Sequence, residues 1–133
     1  MLSGMGKLRA LQACHEARPA PSHVLLVGYA GSLSRSLKIG DLIEPDVFIE
    51  QDYDARPFER FPHHIRSSTR KLFARSKRAA MLTQDRFLTE NPFRETPLAR
   101  RYPNLACDME AYAAALYCRS KSVPLSVWHS TAP

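Results

Sequence analysis

Cysteine is scarce in this sequence of 133 residues, and its spacing excludes two common structural devices. The three cysteines, Cys14, Cys107 and Cys118, are odd in number and form no Cys-x-x-Cys pair. Disulfide frameworks and structural zinc sites usually rely on paired cysteines at short spacings. We therefore expect no disulfide framework and no metal site, and a reducing compartment fits this cysteine usage. No cofactor is expected either.

Long apolar runs and an export leader are also missing. No stretch is long enough to span a bilayer, and residues 1–6 lack the basic start and hydrophobic core of a signal peptide. Internal repeats and low-complexity tracts are absent as well. We expect a soluble, cytoplasmic protein without a membrane partner.

The composition that is present is that of an ordinary globular domain, with 44% hydrophobic and 24% charged residues and a net charge of +6. A chain of this length supports one domain over residues 1–133.

Part of the positive charge is concentrated between residues 66 and 78. Within this region Ile65, Thr69, Leu72 and Phe73 recur at i, i+4, i+7 and i+8, which predicts a helix with an apolar face and a solvated basic face. A basic face could instead bind nucleic acid or an anionic membrane. Because no aromatic stacking platform or groove-reading motif accompanies it, we favour the solvated helix and expect no nucleic-acid partner.

Helical and extended patterns alternate along the chain, which predicts an α/β fold with a sheet covered on both faces. A glycine corner at Gly4 and Gly6 opens a helix at Lys7 that ends by Pro19. A proline-rich surface segment is predicted over residues 90–103. The predicted strands are residues 23–27, two short pieces within 42–50, residues 79–83 and residues 125–128.

The most informative stretch begins at residue 104, where a short apolar run turns into an alanine-rich helix. Met109, Tyr112 and Leu116 recur at helical spacing, so one face is predicted to pack inward while Glu110 points about 100° away at the helix N-terminus. An acidic residue in a first turn often complements the helix dipole. The alternative is a carboxylate that accepts hydrogen bonds from a polyol ligand.

Residues 108–111, Asp-Met-Glu-Ala, resemble the Glu-Met-Glu-Ala signature of the nucleoside phosphorylase and nucleosidase superfamily. Further segments resemble that family's motifs in the same order, over nearly the whole chain. They are Ser-Gly-Met-Gly-Lys at 3–7, Val-Gly-Tyr-Ala-Gly-Ser-Leu at 27–33, Leu-Lys-Ile-Gly-Asp-Leu-Ile at 37–43, Gln-Asp-Tyr-Asp-Ala-Arg-Pro-Phe at 51–58 and Thr-Gln-Asp-Arg-Phe at 83–87. The pattern is most similar to the methylthioadenosine/S-adenosylhomocysteine nucleosidases.

The resemblance implies a partial domain over residues 1–133. Its expected architecture is a phosphorylase/hydrolase-like three-layer sandwich, in which helices flank a central mixed sheet. The first strands and the C-terminal strand and helix of the family would be lacking. The intact family forms homodimers, and its partner molecule is a small nucleoside.

The resemblance also implies a set of substrate-binding residues. Glu110 would hold the ribose hydroxyls, with Asp108 beside it in the same motif, Met109 would pack on the sugar, and Phe87 would stack on the purine. As isolated residues, Phe87 and Met109 would more often belong to a hydrophobic core.

The remaining implied contacts come from three other segments. Leu88 would offer backbone contacts to the purine edge, and Ala30 and Gly31 would line the pocket for water or phosphate. Phe58 would help to form the pocket for the 5′ substituent, often across a dimer interface, or could simply anchor a loop.

Cleavage of a purine N-glycosidic bond needs an acid at the base and an activated nucleophile on the opposite face of the sugar. In the nucleosidases these are an Asp in an Ile-Ser-Asp segment and a Glu on the first strand. Aligning Val123 with the family's Val-Pro-Phe brings Ala132 and Pro133 opposite the Ser-Asp pair, and the Glu would lie upstream of the glycine corner. The catalytic residues are therefore unknown, and negligible turnover is expected.

One position bears on the class of reaction. Phosphorylases of the superfamily carry an Arg two residues before the glycine that matches Gly28, where its fork geometry grips phosphate. This sequence has Leu26 there, which favours a purine nucleosidase. The alternatives are a purine or uridine phosphorylase, or a non-catalytic remnant that binds nucleoside or forms oligomers.

Overall fold

The computed structural model describes residues 1–52, 63–67 and 71–132. Helices and strands alternate as the sequence predicts, in a mixed α/β fold. The elements are α1 (Lys7–Glu16), β1 (Val24–Ser32), β2 (Leu42–Glu50), β3 (His64–Arg66), β4 (Lys77–Thr83), α2 (Pro97–Arg101), β5 (Leu105–Asp108), α3 (Ala111–Lys121) and β6 (Leu125–Ala132).

The strands form one mixed sheet in the order β3-β2-β4-β5-β1-β6. Parallel pairing joins β1 to β6, β2 to β4 and β4 to β5, whereas β1–β5 and β2–β3 are antiparallel. The far strand β6 also pairs with β2, at Leu42↔Ser130 and Ile43↔His129. The sheet therefore curls back on itself, and its strand pairings close into a ring.

The main core lies between this sheet and the helices α1 and α3, and it includes Phe48, Met81 and Ala106, which are all fully buried. Nearly every side of α3 is buried, from Ala111 to Cys118. The sequence pattern predicted a single inward face, and the difference follows from composition. Small alanine side chains let the helix lie close against the sheet on more than one side.

Strand β2 is a single strand rather than the two pieces predicted around Pro45. A register shift between Pro45 and Val47 shows that the strand absorbs the proline as a bulge and continues its pairing with β4. Strand β1 lies between β5 and β6, and only one of its faces is covered. Leu25, Val27 and Tyr29 alternate on the other face and are 48%, 65% and 77% exposed.

The predicted basic helix over residues 65–73 is wrong within the described part of this segment. Ile65 and Arg66 belong to β3, while residues 71–76 form a non-helical connection into β4. This connection is held by Glu44, which is only 3% exposed. Its carboxylate accepts hydrogen bonds from the amides of Leu72 (2.7 Å) and Phe73 (2.8 Å), so those amides do not need helical partners.

A short helix, α2, lies in the proline-rich surface segment predicted over residues 90–103. Thr96 caps it by accepting a hydrogen bond from the Ala99 amide (3.3 Å), and Pro97 occupies the first turn. Among the described residues, none of the helices combines the length and the apolarity needed to cross a membrane.

Candidate nucleoside-binding site

A cavity of about 250 Å³ lies where the last residues of β1 and β5 meet the loops after β4 and before α3. Strand register explains the convergence: Gly31 pairs with Cys107, and Thr83 pairs with Asp108. The cavity brings together every sequence-predicted site residue that the structure describes. These are Ala30, Gly31, Phe87, Leu88, Asp108, Met109 and Glu110. The other predicted residue, Phe58, lies outside the described residues.

Glu110 lies immediately before the first residue of α3, as predicted, but its side chain does not cap the helix. One carboxylate oxygen, Oε1, accepts a hydrogen bond from the Gly6 amide at 2.6 Å, and Oε2 accepts one from the Met109 amide at 3.3 Å. Each carboxylate oxygen can accept more than one hydrogen bond. Glu110 is therefore fixed in orientation and keeps acceptor capacity for two neighbouring hydroxyls.

The carboxylate of Asp108 points into the protein interior and is fully buried. It accepts hydrogen bonds from the Thr83 hydroxyl (2.6 Å) and the Ala111 amide (2.7 Å), and it lies 3.5 Å from His129 Nε2. The Thr83 hydroxyl oxygen in turn accepts a hydrogen bond from the Tyr112 amide (2.9 Å). This arrangement gives Asp108 the role of holding the start of α3.

Two aromatic residues line the cavity: Phe87, in the loop after β4, and Tyr29, on β1. They are 74% and 77% exposed, respectively. The alternative that Phe87 is a core residue is therefore wrong. An exposed aromatic ring beside a carboxylate offers a stacking surface next to a hydrogen-bond acceptor, which is the combination that a nucleoside requires.

Sequence reasoning missed several residues that also line the cavity: Met5, Tyr29, Gln84, Arg86, Cys107 and Ala132. Met5 was detectable, because it is the variable residue of the Gly-x-Gly-Lys corner. Cys107 was not detectable from spacing, because its position depends on the β1–β5 register. Burial and the nearby Asp108 charge raise the pKa of the Cys107 thiol to about 11, so it is not a nucleophile at neutral pH.

The backbone of Gly31 fits closely against Cys107. A Cβ atom at residue 31 would lie 2.9 Å from the Cys107 sulfur, which is closer than the two atoms can approach. Any larger residue at position 31 would therefore displace the Cys107 side chain, which lines the cavity.

Beside the cavity, the ammonium group of Lys7 meets three carboxylates. Its Nζ lies 2.8 Å from Glu50 Oε1 and 3.3 Å from Asp85 Oδ2, and it also pairs closely with Asp52. Burial disfavours the charged lysine, but the hydrogen bonds to Asp52 and Glu50 outweigh this effect and raise the pKa of Lys7. The lysine is therefore a permanent cation at physiological pH.

Leu26 packs against the main core from its position on the covered face of β1. An apolar side chain in this environment cannot bind phosphate. In the ranges 1–52, 63–67 and 71–132, no group of three His, Cys, Asp or Glu side chains is placed to hold a metal ion.

The family model described as the phosphorylase superfamily matches residues 2–128 of this chain. The chain, with its mixed sheet and its cavity at the strand ends, therefore belongs to that superfamily. No curated protein sequence matches the chain significantly.

Solved structures of nucleosidases superpose closely on the chain. A proposed methylthioadenosine nucleosidase from Weissella paramesenteroides gives a TM-score of 0.80 at 25% identity, over 97% of this chain and 63% of that one. A Helicobacter pylori methylthioadenosine nucleosidase mutant with 5′-methylthioadenosine in its active site also gives 0.80, at 22% identity, over 97% and 64%.

A futalosine hydrolase mutant from Helicobacter pylori is similar to the same degree, with a TM-score of 0.80 at 22% identity, over 98% of this chain and 67% of that one. The chain thus spans between 63% and 67% of the length of these relatives.

Proposed function

We propose that this chain is the nucleoside-binding part of a purine nucleosidase that acts on 5′-thio-substituted adenosines such as methylthioadenosine and S-adenosylhomocysteine. The observation that carries the proposal is the placement of Glu110 in one cavity with Phe87 and Met109. A carboxylate held by two backbone amides can accept the paired hydroxyls of ribose, while the exposed ring of Phe87 stacks on the purine.

Hydrolysis rather than phosphorolysis is the proposed reaction, because Leu26 packs in the core at the position where the phosphorylases carry a phosphate-binding arginine. The acid and the base of the nucleosidases have no counterpart in this sequence. Without them, the proposed role of the 133-residue chain alone is nucleoside binding with negligible hydrolysis. A cytoplasmic location, a homodimeric assembly and a place in methionine salvage are part of the same proposal.

Binding of 5′-methylthioadenosine, compared with its 2′,3′-dideoxy analogue, tests this proposal. We expect the wild-type chain to prefer the ribose-containing ligand. The Glu110→Gln variant should lose about tenfold in affinity for methylthioadenosine and little for the dideoxy analogue, because only the former makes charged hydrogen bonds to the carboxylate. Isothermal titration calorimetry measures all four affinities.

Glu95→Gln is the matched control, since Glu95 is an exposed glutamate that does not line this cavity. Equal affinity of the wild-type chain for both ligands, or no affinity for either, would refute the proposed binding mode. Chromatographic detection of adenine tests the second part. Rapid adenine release by the chain alone would contradict the proposed lack of turnover, and release only with added phosphate would favour a phosphorylase.

A further inference from the structure

Lys7 connects the ends of several elements around the candidate site without lining the cavity itself. It begins α1, and its ammonium group pairs with Glu50 at the end of β2 and with Asp52 two residues later. Its third partner, Asp85, lies in the loop after β4. The Lys7 side chain is only 15% exposed, so these charged contacts are partly shielded from solvent.

The first connection leads from Lys7 to Glu110. The Lys7 amide donates a hydrogen bond to Asp85 Oδ1 (3.3 Å), which together with the side-chain contacts fixes the first turn of α1. The preceding residue, Gly6, adopts φ = 95°, a conformation that favours glycine. From that position the Gly6 amide donates its 2.6 Å hydrogen bond to Glu110 Oε1, across a separation of 104 residues.

The second connection leads from Lys7 to Phe87. Asp85 lies two residues before this ring, and its carboxylate is held by the Lys7 side chain and amide. The Asp85 amide donates to Asp52 Oδ2 at 2.9 Å, and the Asp52 amide donates to Glu50 Oε1 at 3.2 Å. The loop that carries Phe87 is therefore bound through the Asp85 carboxylate to Lys7 and through the Asp85 amide to Asp52, a partner of Lys7.

We infer that Lys7 is a positioning residue for the nucleoside site: it sets the orientation of the Glu110 carboxylate through Gly6 and the placement of the Phe87 loop through Asp85. This inference rests on the proposed function for the identity of the ligand, but the orientation of Glu110 is measurable without any ligand. An internal ammonium group suits this role because it can hold three carboxylates at once and has three donors to share among them.

The Lys7→Met variant tests the inference, since it keeps an unbranched side chain only one heavy atom shorter than that of lysine and removes the charge. We expect the amide proton resonance of Gly6 in a 15N-edited NMR spectrum to move upfield, because its short hydrogen bond to Glu110 is weakened. Lys7→Arg should restore most of this shift. Lys77→Met is the control, since Lys77 makes a comparable ion pair with Asp41 (2.6 Å) in a different part of the fold.

Ligand preference gives the second readout. Lys7→Met should reduce the preference for 5′-methylthioadenosine over its 2′,3′-dideoxy analogue by about tenfold, because a misplaced carboxylate loses contact with the hydroxyls alone. A general loss of stability would not change this ratio between two ligands of the same site. If Lys7→Met does not fold, Asp52→Asn weakens the same cluster and should move the Gly6 resonance in the same direction.

The outcomes separate the inference from the function on which it rests. An unchanged Gly6 resonance in a folded Lys7→Met or Asp52→Asn variant overturns the positioning role, whatever the chain binds. If the Gly6 resonance shifts in Lys7→Met and the wild-type chain does not discriminate the two nucleosides, the positioning role is supported and the proposed function is refuted. A shift that appears equally in Lys77→Met would also overturn the inference.

Discussion

Glu110 and Asp108 are two residues apart and have opposite environments. Glu110 is partly exposed at the cavity and is held by two backbone amides, whereas the Asp108 carboxylate is buried among Thr83, Ala111 and His129. The sequence around residues 108–111 predicted that Glu110 lies at the N-terminus of a helix. It could not predict the orientations of the two acids, because these depend on contacts with residues far away in sequence, such as Gly6.

Asp108 should matter mainly for stability. The Asp108 carboxylate accepts hydrogen bonds from the Thr83 hydroxyl and the Ala111 amide on two different oxygens. The Asp108→Asn variant replaces one of these oxygens by an NH2 group, which cannot accept, so one buried donor is left poorly paired. We expect a loss of about 1.5–3 kcal/mol in the free energy of unfolding, the range for hydrogen bonds to charged groups. Urea denaturation followed by circular dichroism measures this change.

Asp46→Asn provides the comparison for this variant, because Asp46 lies on β2 and does not line the cavity. Its unfolding midpoint should stay close to that of the wild-type chain. A similar midpoint for Asp108→Asn would show that the buried hydrogen bonds contribute little.

The segment between β3 and β4 shows why element type can be mispredicted from periodicity. Ile65, Leu72 and Phe73 have the spacing of a helical face, and this pattern alone predicted a helix. The structure instead uses the buried carboxylate of Glu44 to bind the amides at 72 and 73. A single side chain that satisfies backbone donors can outweigh a helical pattern, and nothing in the local sequence identifies it.

Glu44 should make the stability of the protein depend on acidic pH. Burial opposes its ionisation, but hydrogen bonds from Leu72, Ser76 and Phe73 together with the charge of Arg78 outweigh burial and lower the pKa of Glu44. Because this pKa is lower in the folded chain, the ionised group stabilises the fold above the ordinary value of 4.5, and the contribution is lost as the pH falls through the folded value.

We therefore expect the free energy of unfolding to fall as the pH is lowered below about 4.5, and to fall less steeply in Glu44→Gln. Denaturant titrations at a series of acidic pH values measure both slopes. Glu95→Gln, which removes an exposed glutamate, should keep the wild-type slope. Identical slopes in all three proteins would exclude Glu44 as the source.

At the scale of the whole molecule, the sequence predicted the alternation of elements, the helix α1 and most strands. It did not predict the ring of pairings, because the contact of β6 with β2 depends on the curvature of the sheet. It also predicted a sheet covered on both faces, because helical and extended patterns alternate along the chain. In the described chain, Leu25 and Val27 belong to a face of β1 that remains exposed.

This exposed face should make the chain associate with itself. Contiguous apolar side chains on a sheet surface favour pairing between molecules. We expect wild-type chain to form dimers or larger species as its concentration rises, and Val27→Lys to shift the population towards monomer while changing the stability by no more than about 0.5 kcal/mol. Sedimentation velocity at several concentrations measures this distribution.

Ile39→Lys is a suitable control, because Ile39 is 71% exposed and lies outside β1. It should leave the association unchanged. A wild-type chain that stays monomeric at high concentration would exclude both self-association through β1 and the oligomer-forming alternative.

The pairing of β1 with β6 has a consequence for synthesis on the ribosome. It runs from Val24↔Leu125 to Gly31↔Ala132, whereas β1 shares only the short contact at Gly31↔Cys107 and Ser32↔Ala106 with β5. At translation rates of about 5–20 residues per second, the interval between synthesis of β1 and synthesis of its main partner β6 is on the order of ten seconds. During that interval the nascent chain presents an apolar strand without its main partner, and β1 completes its pairing only after the other described strands have been synthesised.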